Sequence, residues 1–131
     1  MFIRLFASAV ALALAVTNGA VFSAAGDYRF EASGTPQRTT EGKSVILVRL
    51  IRVADGAPVR GAIIVQIRAD MGPAGMADMT APTKVLGEAE PGVYRLEVQP
   101  GMTGKWALTL TARVQGEAEA VRGSVVLEFR Q

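Results

Sequence analysis

Three methionines, Met71, Met76 and Met79, fall within nine residues in the stretch Asp70-Met-Gly-Pro-Ala-Gly-Met-Ala-Asp-Met-Thr-Ala-Pro82. The chain has two more, Met1 at its start and Met102 in a second turn-rich segment. A thioether is a soft, uncharged, polarisable donor that suits copper(I) or silver(I) and offers little to zinc or magnesium. Met71, Met76, Met79 and Met102 are therefore the candidate ligands of a monovalent soft metal. Asp70 and Asp78 flank the stretch, but hard carboxylates are poor partners for such an ion. Two other uses of the same residues compete with metal binding. They could fill gaps where the segment folds over the open end of a sandwich, or present an adaptable apolar surface to a protein partner.

Composition removes most other chemistry. The chain contains no histidine and no cysteine. That excludes Ser-His-Asp hydrolysis, imidazole-based zinc or copper(II) sites, thiolate sites and disulfides. Glu88 and Glu90 share one turn-rich segment, Glu117 and Glu119 another. With nothing apolar nearby to raise their pKa values, they read as solvated turn residues rather than an acid–base pair. The glycines are dispersed and form no phosphate-cradling loop ahead of a helix. The expectation is a non-enzymatic protein with no catalytic residues. A formal net charge of +2, with arginines scattered along the strands, gives nucleic-acid binding no electrostatic support.

The N-terminal segment carries an address. Arg4 supplies a positive start, Leu5 to Val16 is a nearly unbroken apolar run, and Ser23-Ala-Ala25 offers the small residues a signal peptidase needs. The apolar run is shorter than the ~20 residues a spanning helix requires. Residues 1–25 are thus expected to be a signal peptide cleaved after Ala25, leaving a periplasmic or secreted domain over 26–131 with no permanent membrane anchor. An uncleaved anchor is the alternative. No cysteine follows the cleavage point, so a lipid anchor at a cysteine is excluded.

The residues after 25 read as short alternating apolar segments separated by turn residues, which predicts an all-β fold. Tyr28, Phe30 and Ala32 alternate in a first strand. Lys43 to Val53 is apolar on both faces, with Ile46, Val48 and Leu50 on one, and so belongs in the middle of a sheet. Asp55-Gly56 makes a turn, Val59 to Arg68 is a strand, and 69–82 is read as a loop. Thr83 to Leu86 is a candidate short strand, followed by a turn over 87–92. Val93 to Val98, the run Trp106, Leu108, Leu110, Ala112 and Val114, and the run Val121, Gly123, Val125, Leu127 and Phe129 complete the set. The fold class is all-β, an antiparallel immunoglobulin-like sandwich of about seven strands, with Trp106 in the core and the Tyr28 and Tyr94 hydroxyls at the rim.

Strand parity bears on the methionines. Successive connections of such a chain lie at alternate ends. If 83–86 is a strand, the 69–82 segment and the Met102 turn share an end; if it is not, they lie at opposite ends.

Four short segments, Asp55-Gly-Ala-Pro-Val59, Asp70-Met-Gly-Pro-Ala-Gly-Met76, Glu90-Pro-Gly-Val-Tyr94 and Met102-Thr-Gly-Lys-Trp106, occur in this order and spacing. Together, over roughly residues 40 to 130, the chain resembles the YtkA-like and FixH-like family of small extracytoplasmic β-sandwich domains. The resemblance implies a setting beside heavy-metal efflux systems, copper-handling proteins or haem-copper oxidase assembly. It thereby implies envelope proteins of those systems as partners. Two functions follow as expectations. One is an accessory that binds copper or silver through the methionine-rich segment. The other is a structural module that docks on an envelope complex without metal. The first needs at least three sulfurs converging within a few ångströms in an accessible place, the second an exposed apolar patch of a few hundred Å².

Overall fold

The computed structural model describes residues 24–130, so the expected signal peptide lies outside the described residues apart from its last two positions. A single 3-10 turn, Ala24–Asp27, leads into the first strand. The strands are β1 (Tyr28–Ala32), β2 (Gln37–Arg38), β3 (Ser44–Arg52), β4 (Ile63–Met71), β5 (Met76–Ala81), β6 (Thr83–Glu90), β7 (Val93–Val98), β8 (Gly104–Arg113) and β9 (Val121–Phe129).

All pairings are antiparallel and form two sheets. One has the order β1-β3-β7-β6 with β2 also on β3, and the other the order β5-β4-β8-β9. These are the A-B-E-D and C′-C-F-G orders of an immunoglobulin-like sandwich. β3 is central, as its two-sided apolar character requires.

Alternation builds the core from both sheets. Ile46, Val48 and Leu50 of β3 and Tyr94, Leu96 and Val98 of β7 face Trp106, Leu108, Leu110 and Ala112 of β8. Trp106 is fully enclosed and meets Phe129 edge-to-face, with ring centroids 6.5 Å apart. Gly123 sits on the inward face of β9 because Phe30 of β1 occupies the space a side chain would need. A Cβ there would stand 2.8 Å from Phe30 Cδ2.

The structure departs from the sequence reading at several points. The 69–82 segment is not a loop. β4 runs on to Met71, a 3-10 turn over Gly72–Ala74 reverses the chain, and β5 returns along β4. Gly75 closes that turn in the left-handed conformation, its N–H donating to the Gly72 carbonyl at 2.8 Å. The glycine and proline that suggest a loop are thus confined to the tip of a hairpin.

The strand expected from Val59 begins only at Ile63. Pro58 and Gly61 (φ +69°) break the ladder. Val59 and Ala62 are instead tied to the Tyr94 hydroxyl, which is buried rather than at the rim. Ile63 and Val65 are exposed although both are strongly apolar: Ile63 lies on the outer face opposite Arg113, and Val65 falls in a bulge between Ile64 and Gln66.

The strand at 83–86 runs on through the expected turn to Glu90. Glu88, expected to be a free solvated carboxylate, accepts from the N–H groups of Gly92 (2.9 Å) and Gly61 (3.1 Å). With β2 and β5 added, the strand count is nine rather than seven.

Only Pro82 separates β5 from β6, so the chain passes from one sheet to the other without reversing. β5 and β6 count as one run, and the parity argument then places the 72–75 turn and the 99–103 connection at the same end.

Candidate functional site

The hairpin that carries the methionines is pinned by its own polar groups. Asp70 Oδ1 accepts from the Gly72 N–H at 2.7 Å, and Asp70 Oδ2 accepts from Arg68 Nε at 3.2 Å. Arg68 Nη2 also donates to the Ala77 carbonyl at 3.0 Å, clamping β5 onto β4. Asp70 is therefore engaged in shaping the hairpin. Among the described residues there is no group of three or more acidic side chains that could hold a metal ion.

The four methionines share one end of the sandwich but not one environment. Met71, at 2 % exposure, belongs to the core. Its Cε lies 3.1 Å from where a Cβ on Gly104 would stand, so it fills the space left open by that glycine on β8. Met76 is the residue opposite Met71 across the hairpin, and the register shift at Asp70/Met71 lets β5 bulge away from β4 through residues 77–79. Met76 and Met79 are 39 % and 38 % exposed.

Met102 is also exposed, at 45 %. Its carbonyl accepts from Trp106 Nε1 at 3.1 Å, which fixes the 99–103 connection over the core. Its side chain lines a groove with Phe129 and Arg130, beside β9. β9 and β5 are opposite edges of the sheet. The structure thus gathers Met71, Met76 and Met79 in one hairpin, encloses the first, and sets Met102 toward the other edge.

The exposed apolar character of β5 continues past Pro82. Val85 and Leu86 of β6 are both about as exposed as Met76 and Met79. β6 is the edge strand of its own sheet, so 76–90 forms the margin of both sheets on this side. Bulges at Val85/Gly87 and Glu88/Glu90 interrupt its ladder, and Lys84 adds a charge. These features discourage a foreign strand from adding by backbone pairing.

The sequence pattern of the YtkA-like family matches residues 22–111, from before β1 to within β8. The chain belongs to the YtkA-like family. The match begins earlier and ends sooner than the region from 40 to 130 that carries the resemblance read from the sequence. The YtkA-like match therefore includes the methionine hairpin and the Met102 connection, but not β9. No curated protein and no solved structure matches the chain.

The sequence reading missed three features of this YtkA-like domain. The Tyr94 hydroxyl donates to the Val59 carbonyl at 2.6 Å and accepts from the Ala62 N–H at 2.9 Å. Burial pushes its pKa above the usual tyrosine value, against a smaller downward pull from the Ala62 N–H. Tyr28 donates to Glu117 Oε2 at 2.6 Å, and that bond raises its pKa too. The third is Ser44, apart from the aromatic residues the one buried polar or charged residue among the described residues. Its signal was in the sequence: the inward parity of Ile46, Val48 and Leu50, extended two residues back, reaches a serine.

Proposed function

We propose that this protein is a non-enzymatic extracytoplasmic accessory that binds a soft monovalent metal, copper(I) or silver(I), at the methionine hairpin. The observation that carries this reading is the pair Met76 and Met79. Both are exposed on one short bulged strand, across from Met71, in a chain with no imidazole or thiol to compete for the ion. Two or three uncharged thioethers suit a low-coordinate soft cation and discriminate against zinc and magnesium. The ligand set narrows accordingly. Met76 and Met79 are the primary donors, Met71 would have to turn out of the core to join them, and Met102 contributes nothing. The signal-like N-terminus supports export, and the resemblance to domains that accompany heavy-metal efflux and oxidase assembly supports an envelope setting.

A second reading draws on Val85 and Leu86. They extend the exposed apolar margin beyond the methionines, as a side-chain docking surface for an envelope protein would. An anaerobic copper(I) titration against a chromophoric chelator separates the two. One-to-one binding lost in Met76→Ser/Met79→Ser and retained in Met102→Ser is the expected outcome. A chain that never competes with the chelator removes the metal and leaves the docking surface.

A further inference from the structure

Ser44 poses a question the methionines do not answer. The residue is 3 % exposed, and its hydroxyl has no hydrogen-bond partner among the described residues. A buried hydroxyl left unpaired costs free energy, so such a group calls for an explanation. Ser44 lines two adjoining grooves, of about 370 and 600 Å³, at the methionine end of the sandwich on the side of β9. Both grooves are also lined by Arg38, Phe129 and Arg130, and the larger one by Glu128 as well.

The fold builds this arrangement. β2 pairs with the first residues of β3, and Arg38 stands directly opposite Ser44 in that register. Paired residues of antiparallel strands project to the same face. The Arg38 side chain thus rises beside the Ser44 hydroxyl on the face that Ser44 buries. Arg38 has no ion pair or hydrogen bond from its side chain among the described residues. Arg130 is partly committed, with Nη2 3.3 Å from Glu128 Oε1. One uncommitted guanidinium and one uncommitted hydroxyl therefore converge where the walls turn apolar. Phe129 and Met102 line the smaller groove, and Val126 the larger.

We infer that this groove binds an organic monocarboxylate with an apolar body. The carboxylate accepts from the Ser44 hydroxyl and from the Arg38 guanidinium, whose planar fork matches a carboxylate in two parallel hydrogen bonds. The body lies along Met102 and Val126, the exposed apolar side chains of the two grooves. A single free cation suits one negative charge, and each groove is of small-molecule size. The site needs no methionine sulfur, so it is independent of the metal reading.

The test is a nitrogen-15 chemical-shift titration of the purified protein with 3-phenylpropionate, with its neutral amide and with inorganic phosphate. The carboxylate is expected to give saturable shifts centred on Arg38, Ser44 and Met102. Arg38→Gln, an exposed change that leaves the core intact, should weaken binding about tenfold or more. Ser44→Ala should weaken it while leaving the fold unchanged or firmer, since it deletes an unpaired buried hydroxyl. Equal binding of the amide would overturn the role of the charge, and equal binding of phosphate the role of the apolar body. Absence of saturable shifts with the carboxylate would overturn the site.

Discussion

Tyr94 and Val59 are joined by a 2.6 Å hydrogen bond from phenol to backbone carbonyl, across 35 positions of sequence. The same oxygen accepts from the Ala62 N–H, so one side chain satisfies both ends of the segment that precedes β4. That segment has no ladder of its own beyond a bridge from Pro58 to Ile51 and a bond from the Val59 N–H to the Leu50 carbonyl. Tyr94→Phe leaves a buried carbonyl and a buried N–H unpaired. Thermal and urea denaturation should register a loss of about 1–3 kcal/mol with the folded spectrum retained.

Alkaline pH should act through the same hydroxyl. The Tyr94 pKa is raised in the folded state, chiefly by burial, and the Tyr28 pKa is raised chiefly by its bond to Glu117. A phenol whose folded pKa exceeds its unfolded value of 10.0 gives its full contribution below that pH. The contribution is lost as pH rises through the folded pKa. Stability should therefore fall above about pH 10, and less steeply in Tyr94→Phe, as denaturant midpoints measured across that range would reveal.

The methionines should separate by mutation into two kinds. Met71→Ala opens a cavity under Gly104 and should cost about 2–5 kcal/mol. Met76→Ser and Met79→Ser, at exposed positions, should each stay within about 0.5 kcal/mol of the parent. Chemical denaturation of the three single variants checks this. A Met71 variant as stable as the others would move that side chain out of the core.

Gly123→Ala should destabilise by about 1–3 kcal/mol, because its Cβ meets the Phe30 ring. Shrinking the ring should relieve the clash. In Phe30→Leu/Gly123→Ala the combined loss should be smaller than the two single losses added, a coupling that a double-mutant cycle measures directly.

Much of the sandwich was legible because strands buried on one face write their parity into the chain. Trp106 to Val114 and Val121 to Phe129 gave both length and facing, and Lys43 to Val53 gave its central place. The methionine hairpin was not legible as strands. β5 is exposed along nearly its whole length, so it carries no apolar alternation, and Gly72, Pro73 and Gly75 mask it as a loop. The start of β4 was hidden for another reason: Val59 packs into the core outside β4, bonded to Leu50 and to the Tyr94 hydroxyl, and its burial looks the same in the sequence. At the site, the residue types pointed to the methionines, but their division into one enclosed and three exposed side chains depends on Gly104, which is 33 residues from Met71. The Ser44–Arg38 pairing depends on β2, two residues long and invisible to any pattern.

Pro82 gives the methionine strand a mechanical role that its exposure alone does not. Because one residue joins the edge of one sheet to the edge of the other, that flank of the sandwich is sewn shut, while the flank between β2 and β9 is held by side chains alone. An ion or protein that pulls on Met76 or Met79 pulls on both sheets at once. Across the opposite flank, where β1 packs against β9, no strand among the described residues continues from one sheet into the other.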